Sequence, residues 1–249
     1  MEQSIPKRQQ EIIIGVPETD QGLTMLEELK SPAFKVAIFG SARVRPDSFI
    51  YKNVFDLARM IADDGFDLVN GGGPGVMRAA SQGHNAGATQ GKDVHTIGLN
   101  IELPFEQEPN KYLDLVETHK SFSTRLDQFM LLSNVIVVAP GGIGTCLELF
   151  YTWQLMQVNH IAKMPVILFG KMWEDLLLWV KSSLLIDGFI NKEDLYPMVV
   201  VETPEQAMSV IRVAHENFEL ENDVSNVNIE KYASACKRMG ICLTETDKL

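Results

Sequence analysis

The sequence predicts an α/β fold: an open, doubly wound, mostly parallel Rossmann-like sheet with helices on both faces. From Lys35 onward, short runs rich in β-branched residues alternate with longer segments whose apolar residues recur at helical spacing. The short runs are almost wholly apolar, as expected of strands that helices cover on both sides. Two glycine-rich stretches each follow such a run and precede a helical segment, which is where sheets of this class bind ligands.

The predicted elements alternate along the chain. Strands are expected at Val36–Phe39, Phe66–Asn70, His95–Asn100, Asn134–Ala139, Pro165–Phe169 and Met198–Val201. Helices are expected at Tyr51–Asp64, Gly75–Ala88, Ser123–Ser133, Thr145–Val158, Met172–Leu185 and Pro204–Phe218. In the first helix, Val54, Leu57, Ala58 and Ile61 form one apolar stripe, and the other helical segments behave similarly.

Both ends of the chain lack this alternation. We therefore expect a single Rossmann-like domain over residues 31–218, an N-terminal extension over residues 1–30 and a C-terminal extension over residues 219–249. Within the extensions, short helices are predicted at Leu23–Lys30 and Asn228–Met239.

Composition and charge exclude several classes of protein. The 22 Lys and Arg residues against 33 Asp and Glu residues give a net charge of −11, which repels a phosphate backbone, so no nucleic acid partner is expected. The three cysteines, Cys146, Cys236 and Cys242, are scattered, which favours a reducing cytoplasm over a disulfide framework or a zinc site. The apolar runs fall well short of the roughly 20 residues that span a bilayer, so we expect no membrane partner.

Seven of the 18 glycines lie in two loops, 71–75 and 141–144, each placed directly after a predicted strand. A glycine turn at this point lets backbone N–H groups approach a phosphate at the N-terminus of the next helix. Glycines also serve simply to permit positive φ angles in tight turns. For the first loop taken alone, the sequence leaves both interpretations open.

Two charged residues accompany the second loop. Glu148 follows Thr145 by about one helical turn, where a carboxylate can act on a ligand or merely stabilise the helix start through its dipole. Arg125 is expected in the first turn of its helix, where a cation opposes the dipole and needs an anionic partner. An ordinary ion pair with Asp127 or a nearby Glu is the alternative.

Together these residues resemble the Lonely Guy family, also known by the older label of lysine decarboxylase-like proteins, over about Phe34–Phe218. The most specific element is the pattern Pro-Gly-Gly-x-Gly-Thr-x-x-Glu, present without deviation at Pro140–Glu148. The glycine-rich loop at Gly71–Met77 is a looser match, and Arg125 precedes the motif by the interval typical of the family. One position departs from the family, because Leu126 stands where a Lys is usual.

The resemblance implies hydrolysis of the N-glycosidic bond of nucleoside 5'-monophosphates, cytokinin nucleotides among them, to free base and ribose 5-phosphate. It implies that Glu148 acts on an oxocarbenium-like state or a positioned water, and that Arg125 holds the phosphate or polarises the departing base. No metal or other cofactor is expected, and a homodimer or larger homo-oligomer is implied, with the site near the interface. The expected substrate-binding residues are Ser41, Gly71, Gly72, Gly73, Gly141, Gly142, Ile143, Gly144, Thr145 and Gln154.

Of three other functions, the residues disfavour two and leave the third open. A decarboxylase of the usual kind needs pyridoxal phosphate on a Schiff-base lysine, and neither glycine loop contains a lysine. A dehydrogenase is disfavoured because the turn after the first strand lacks the G-x-G-x-x-G fingerprint. A non-catalytic nucleotide or cofactor carrier of the same fold stays open, although a carrier has no chemical need for both Arg125 and Glu148.

Overall fold

A computed structural model describes Met25, Glu27, Glu28 and residues 31–88, 93–104 and 108–221 of the chain. The strands are β1 (Lys35–Phe39), β2 (Asp67–Asn70), β3 (Thr96–Ile101), β4 (Leu115–His119), β5 (Val135–Val138), β6 (Val166–Phe169) and β7 (Met198–Val201). They form one sheet in the order β4-β3-β2-β1-β5-β6-β7, and every neighbouring pair is parallel. The predicted fold class is therefore confirmed.

Helices cover both faces of the sheet, as continuous apolar strands require. The α-helices are α1 (Phe49–Asp63), α2 (Val76–Gly87), α3 (Phe122–Leu132), α4 (Ile143–Gln157), α5 (Met172–Trp179) and α6 (Pro204–Glu221). Alternate residues of each strand face opposite sides, so Val36 and Ile38 of β1 pack with α1, α2 and α6, whereas Ala37 and Phe39 pack with α3, α4 and α5.

The predicted strands and most predicted helices are present with ends within two residues of expectation. The strand β4 was not predicted, because its mixed sequence Leu-Val-Glu-Thr-His belongs to a half-buried strand at the sheet edge. The helix predicted to end at Leu185 is α-helical only to Trp179 and continues as a π-helix over Val180–Leu185. A 3₁₀-helix at Lys192–Leu195 was also missed.

The two predicted terminal helices lie largely outside the described residues. Met25, Glu27 and Glu28, within the first of them, have helical backbone, and the rest of that segment lies outside the described residues. The helix predicted at Asn228–Met239 lies wholly outside them. Among the helices that the structure does describe, none combines the length and apolar character needed to cross a membrane.

The strand order changes direction at β1, and this reversal locates the crevice of the fold. From β1 the chain continues to α1 on one face, and from the neighbouring β5 it continues to α4 on the opposite face. The two loops therefore diverge and leave an opening at the carboxyl edge of the sheet. In open α/β sheets this is the place where ligands bind.

Candidate active site

A cavity of about 540 Å³ occupies the crevice, a volume within the usual range of small-molecule sites. Its wall is built by the loops after β1, β2 and β5, the end of β3, and the first turns of α3 and α4. Both glycine-rich loops thus reach the same opening. Gly72 and Gly75 of the first loop also have positive φ, at +71° and +66°, so the turn-forming role of these glycines is present as well.

Most of the residues predicted from the sequence lie in the cavity wall. They are Ser41, Gly71, Gly73, Arg125, Gly142, Ile143, Gly144, Thr145 and Glu148. Gly72 and Gly141 belong to the same two loops but do not line the cavity. Gln154 is exposed on α4, six residues beyond Glu148, and is not among the lining residues.

Arg125 and Glu148 meet inside this cavity. The Nη1 of Arg125 lies 3.3 Å from the Oε1 of Glu148, and their side chains are only 8% and 12% exposed. The Nε of Arg125 donates to the carbonyl of Leu99 at the end of β3, at 2.6 Å. The guanidinium also lies 5.2 Å from the ring centroid of Phe129. These contacts fix the arginine in one orientation against the carboxylate.

The sequence left two simpler interpretations of this pair open. Glu148 lies in the second turn of α4, and the first turn of that helix holds no acidic residue, so a first-turn dipole role does not apply to it. Of the ion-pair partners considered for Arg125, Asp127 accepts instead from the hydroxyl of Tyr151, at 2.7 Å, and the nearby Glu that pairs with Arg125 is Glu148 itself. Leu126, the departure from the family pattern, is 3% exposed and does not line the cavity.

Burial controls the ionisation of both charged groups. It raises the pKa of Glu148 to about 7, although the nearby Arg125 cation acts in the opposite direction. Burial also lowers the pKa of the Arg125 guanidinium, against the effect of the Glu148 carboxylate. A carboxyl group with a pKa near neutrality can both accept and return a proton at physiological pH, which is the property of a general acid–base group.

The raised pKa has a measurable effect on stability. The unfolded chain loses this proton near pH 4.5 and the folded chain near pH 7, so the native state loses stability as pH rises between those values. At about 1.4 kcal/mol per pKa unit, the unfolding free energy of the wild type should fall relative to that of Glu148→Gln by about 3 kcal/mol from pH 4.5 to pH 8. Urea unfolding of both proteins across this range measures the difference. A constant difference would show that Glu148 titrates normally.

One end of the cavity is suited to an anion. The helix α4 begins after Gly142 without a side-chain cap, so the N–H groups of its first turn face the opening with the positive end of the helix dipole. Ser41 lies across from them, and its N–H donates to the carbonyl of Pro140 at 3.1 Å. Arg43 also lines the cavity. Among the described residues, no Asp or Glu lies within salt-bridge distance of its guanidinium.

The first glycine loop is held by buried polar side chains. The Oδ1 of Asn70 accepts from the N–H of Gly72 at 2.8 Å, and the Nδ2 of Asn70 donates to the hydroxyl of Ser81 at 2.9 Å. Gly72 has a φ of +71°, which favours glycine. A side chain on Gly71 would collide with the Nη2 of Arg125. A side chain at position 71 would therefore displace the guanidinium of Arg125 from its present place.

Several lining residues were not predicted. They are Gly40, Ala42, Arg43, Met77, Asn100, Ile101, Leu103, Glu108 and Phe122. Asn100 could have been found, because it is a polar residue at the end of an apolar strand. Leu103 and Glu108 lie in a connection without helical or strand periodicity; the stretch from Leu103 to Asn110 resembles longer bacterial members of the family, but that resemblance assigned no role to either residue.

A separate cluster of possible metal ligands lies away from the cavity, next to the amino ends of β1, β2 and β3. It consists of Glu28, Asp67 and His95. The Nζ of Lys35 lies 3.4 Å from Glu28 and 3.6 Å from Asp67, so an ammonium group already stands between the carboxylates. This arrangement is that of a buried ion-pair network.

Comparisons with known proteins agree with this description. The model of one protein family, described as "Possible lysine decarboxylase", matches residues 77–211, more than half of the 249 residues. A pyrimidine/purine nucleotide 5'-monophosphate nucleosidase from Escherichia coli K12 is 30% identical over 109 residues, which is 42% of this chain. The matched stretch is 24% of that relative, so the chain aligns with about a quarter of its length.

Two solved structures share the fold. A molybdenum cofactor binding protein from the phototrophic bacterium Rippkaea orientalis has a TM-score of 0.54 and 23% identity, and the match covers 72% of this chain and 96% of that protein. A molybdenum cofactor carrier protein from Chlamydomonas reinhardtii has a TM-score of 0.53 and 21% identity, with 74% and 99% covered. At these identities the likeness concerns the fold.

Proposed function

Since the chain belongs to the Lonely Guy-like family described as possible lysine decarboxylases, we propose that it hydrolyses the N-glycosidic bond of nucleoside 5'-monophosphates. The observation that carries this proposal is the buried contact between Arg125 and Glu148 beside the start of α4. The 30% identity to a nucleotide 5'-monophosphate nucleosidase supports the same class of substrate. The products would be a free base and ribose 5-phosphate.

In the proposed mechanism, the first turn of α4, Ser41 and Arg43 bind the 5'-phosphate. This places the ribose near Glu148, the acid–base group of the cavity. The bond from C1' to the base nitrogen breaks with its electron pair leaving on the base, and a water oxygen bonds to C1'. Glu148 accepts a proton from that water. The same proton then passes to the departing base and neutralises its negative charge. Arg125 does not bind the phosphate in this mechanism. Its Nη1 holds the carboxylate of Glu148 in place.

The test is base release from a panel of AMP, GMP, CMP, UMP and isopentenyl-AMP, with adenosine and cytidine as the matched controls that lack the phosphate. We expect turnover of monophosphates and at least about a hundredfold lower kcat/KM for the nucleosides, because they cannot engage the anion-binding end. The isopentenyl compound decides whether cytokinin nucleotides are substrates. Release of no base from any monophosphate would refute the proposal.

A carrier of a nucleotide or cofactor is the second candidate, because two structures of this fold are named as molybdenum cofactor binding or carrier proteins. The cavity geometry favours hydrolysis over this alternative. A carrier gains nothing from burying a carboxylate whose pKa lies near 7 against the bound ligand. Tight binding of monophosphates without base release would favour the carrier.

We also propose that the protein is located in the cytoplasm and that it forms a homodimer through α4. An apolar stripe along one face of the helix is exposed to solvent, with Ile143 88%, Leu147 44%, Phe150 38% and Val158 57% exposed. Their spacing of three, four and eight residues keeps them on one side of the helix. Gln154 falls on the same stripe, and Ile143 also lines the cavity, so the interface would lie beside the site.

Replacing one residue of this stripe should separate the protomers. We expect Leu147→Glu to convert the dimer to a monomer, because a desolvated charge at the centre of an apolar interface is strongly unfavourable. Light scattering coupled to size-exclusion chromatography measures the mass directly. Leu178→Glu, at an exposed leucine of α5, is the matched control. If Leu147→Glu stayed dimeric and Leu178→Glu became monomeric, the interface would lie on α5 instead of α4.

A further inference from the structure

Two polar side chains in the cavity wall, Asn100 and Glu108, have no hydrogen-bond or ion-pair partner among the residues that the structure describes. Asn100 is the penultimate residue of the strand β3 and is half-buried, and Glu108 is exposed, in the connection between β3 and β4. Polar groups at a cavity surface that have no protein partner can form hydrogen bonds to a ligand. Both groups are therefore available to a ligand in the cavity.

Asn100 lies on the Arg125 side of the Arg125–Glu148 contact, because the preceding residue, Leu99, accepts from the Nε of Arg125. Glu148, on the other side of that contact, belongs to α4, whose first turn is the proposed phosphate position. If the phosphate and ribose occupy those places, as the proposed function requires, the base lies against the wall formed by Asn100 and Glu108. The apolar side chains of Met77 and Ile101 belong to the same wall and suit the faces of an aromatic ring.

Asn100 and the segment that carries Glu108 both contact the first glycine loop. The Oδ1 of Asn100 lies directly over Gly72, where a side chain would overlap it. From the other side, Asn110 donates its N–H to the carbonyl of Gly72 at 2.8 Å and its Nδ2 to the carbonyl of Gly73 at 3.2 Å. Glu108 precedes this anchor by two residues. Because the Asn100 oxygen faces Gly72, its NH₂ group is left for a ligand.

The wall thus presents one donor, the amide NH₂, and one group that only accepts, the carboxylate. We propose that Asn100 and Glu108 select nucleotides with an adenine- or cytosine-type base, whose edge places an amino group beside an unprotonated ring nitrogen. Glu108 accepts from the amino group, and Asn100 donates to the ring nitrogen. Hypoxanthine, uracil and guanine present a carbonyl beside a ring N–H on that edge, so both contacts meet a group of the wrong kind.

The experiment compares matched substrate pairs that differ at this edge alone, AMP with IMP and CMP with UMP. We expect the wild type to favour AMP and CMP by at least about tenfold in kcat/KM, the effect of one hydrogen bond to a charged group. Glu108→Gln should reduce both ratios by about tenfold, since its amide can also donate. Asn100→Asp, which removes the donor, should shift preference toward IMP and UMP. Glu102→Gln, at an exposed residue outside the cavity wall, should leave both ratios unchanged.

The outcomes separate this inference from the proposed function. Equal turnover within each pair, or ratios that Glu108→Gln and Asn100→Asp leave unchanged, would overturn the base selection while hydrolysis stands. If nucleotides bind without turnover, the same ratios are measured as dissociation constants by isothermal titration calorimetry, and hydrolysis alone is overturned. Binding of no nucleotide by the wild type or by Glu148→Gln would overturn both.

Discussion

Replacing Glu148 by glutamine is expected to reduce base release by about 10³-fold, within the range that general acid–base groups contribute. The amide keeps the size of the side chain and can still contact Arg125, but it cannot take up a proton from water. Nucleotide affinity should change by less than about threefold, because the anion-binding end is formed by other residues. Chromatographic measurement of free base, with calorimetry for binding, tests both statements.

The control for this variant is Glu174→Gln, at an exposed residue of α5 outside the cavity, which should retain wild-type turnover. The pH dependence adds an independent check. Wild-type kcat should rise from pH 5.5 to pH 8 as the Glu148 carboxyl, with its pKa of about 7, ionises. Retained turnover in Glu148→Gln, with an unchanged pH profile, would remove Glu148 from the mechanism.

The second large effect is expected from Arg125→Lys, which should lower kcat by about 10²-fold. The arginine contacts Leu99 and Glu148 with different nitrogens of one planar group, and a single ammonium cannot reproduce that geometry. The cation would no longer be held against the carboxylate, so the pKa of Glu148 should rise. The acid limb of the pH–rate profile should therefore move to higher pH.

This result is compared with Arg59→Lys, at an exposed residue of α1 whose Nη1 lies 2.9 Å from the Oδ2 of Asp63. The change there should leave both kcat and the pH profile as in the wild type. If Arg125→Lys raised KM for monophosphates and left kcat and the pH profile unaltered, Arg125 would be a phosphate ligand, and its assigned role on Glu148 would be wrong.

The sheet was predictable because its strands are buried on both sides and consequently read as apolar runs. The strand β4 was not, since an edge strand such as Leu115–His119 buries only part of each face. The motif placed Glu148 at the carboxyl edge of β5 and Arg125 on the preceding helix. Their contact, across 23 positions of sequence, depends on how α3 and α4 pack against the same face of the sheet.

Other parts of the site depend on tertiary structure in a way that local patterns do not record. Gln154 shares a helix with Glu148, but the rotation of α4 turns it away from the cavity and onto the exposed apolar stripe. Glu108 enters the wall because Asn110 anchors an irregular segment to the glycine loop. Irregular connections carry no periodicity, so their contribution to a site emerges only from the folded chain.

The most direct test of the account is a multiple-turnover assay with AMP and CMP in large excess over the protein. Free base and ribose 5-phosphate are quantified in the same samples over time. Hydrolysis predicts that both products accumulate in equal amounts, to many equivalents per protomer, and that Glu148→Gln forms both about 10³-fold more slowly. Retention of about one equivalent of intact nucleotide per protomer, with no base released by the wild type, would contradict the account and identify a carrier.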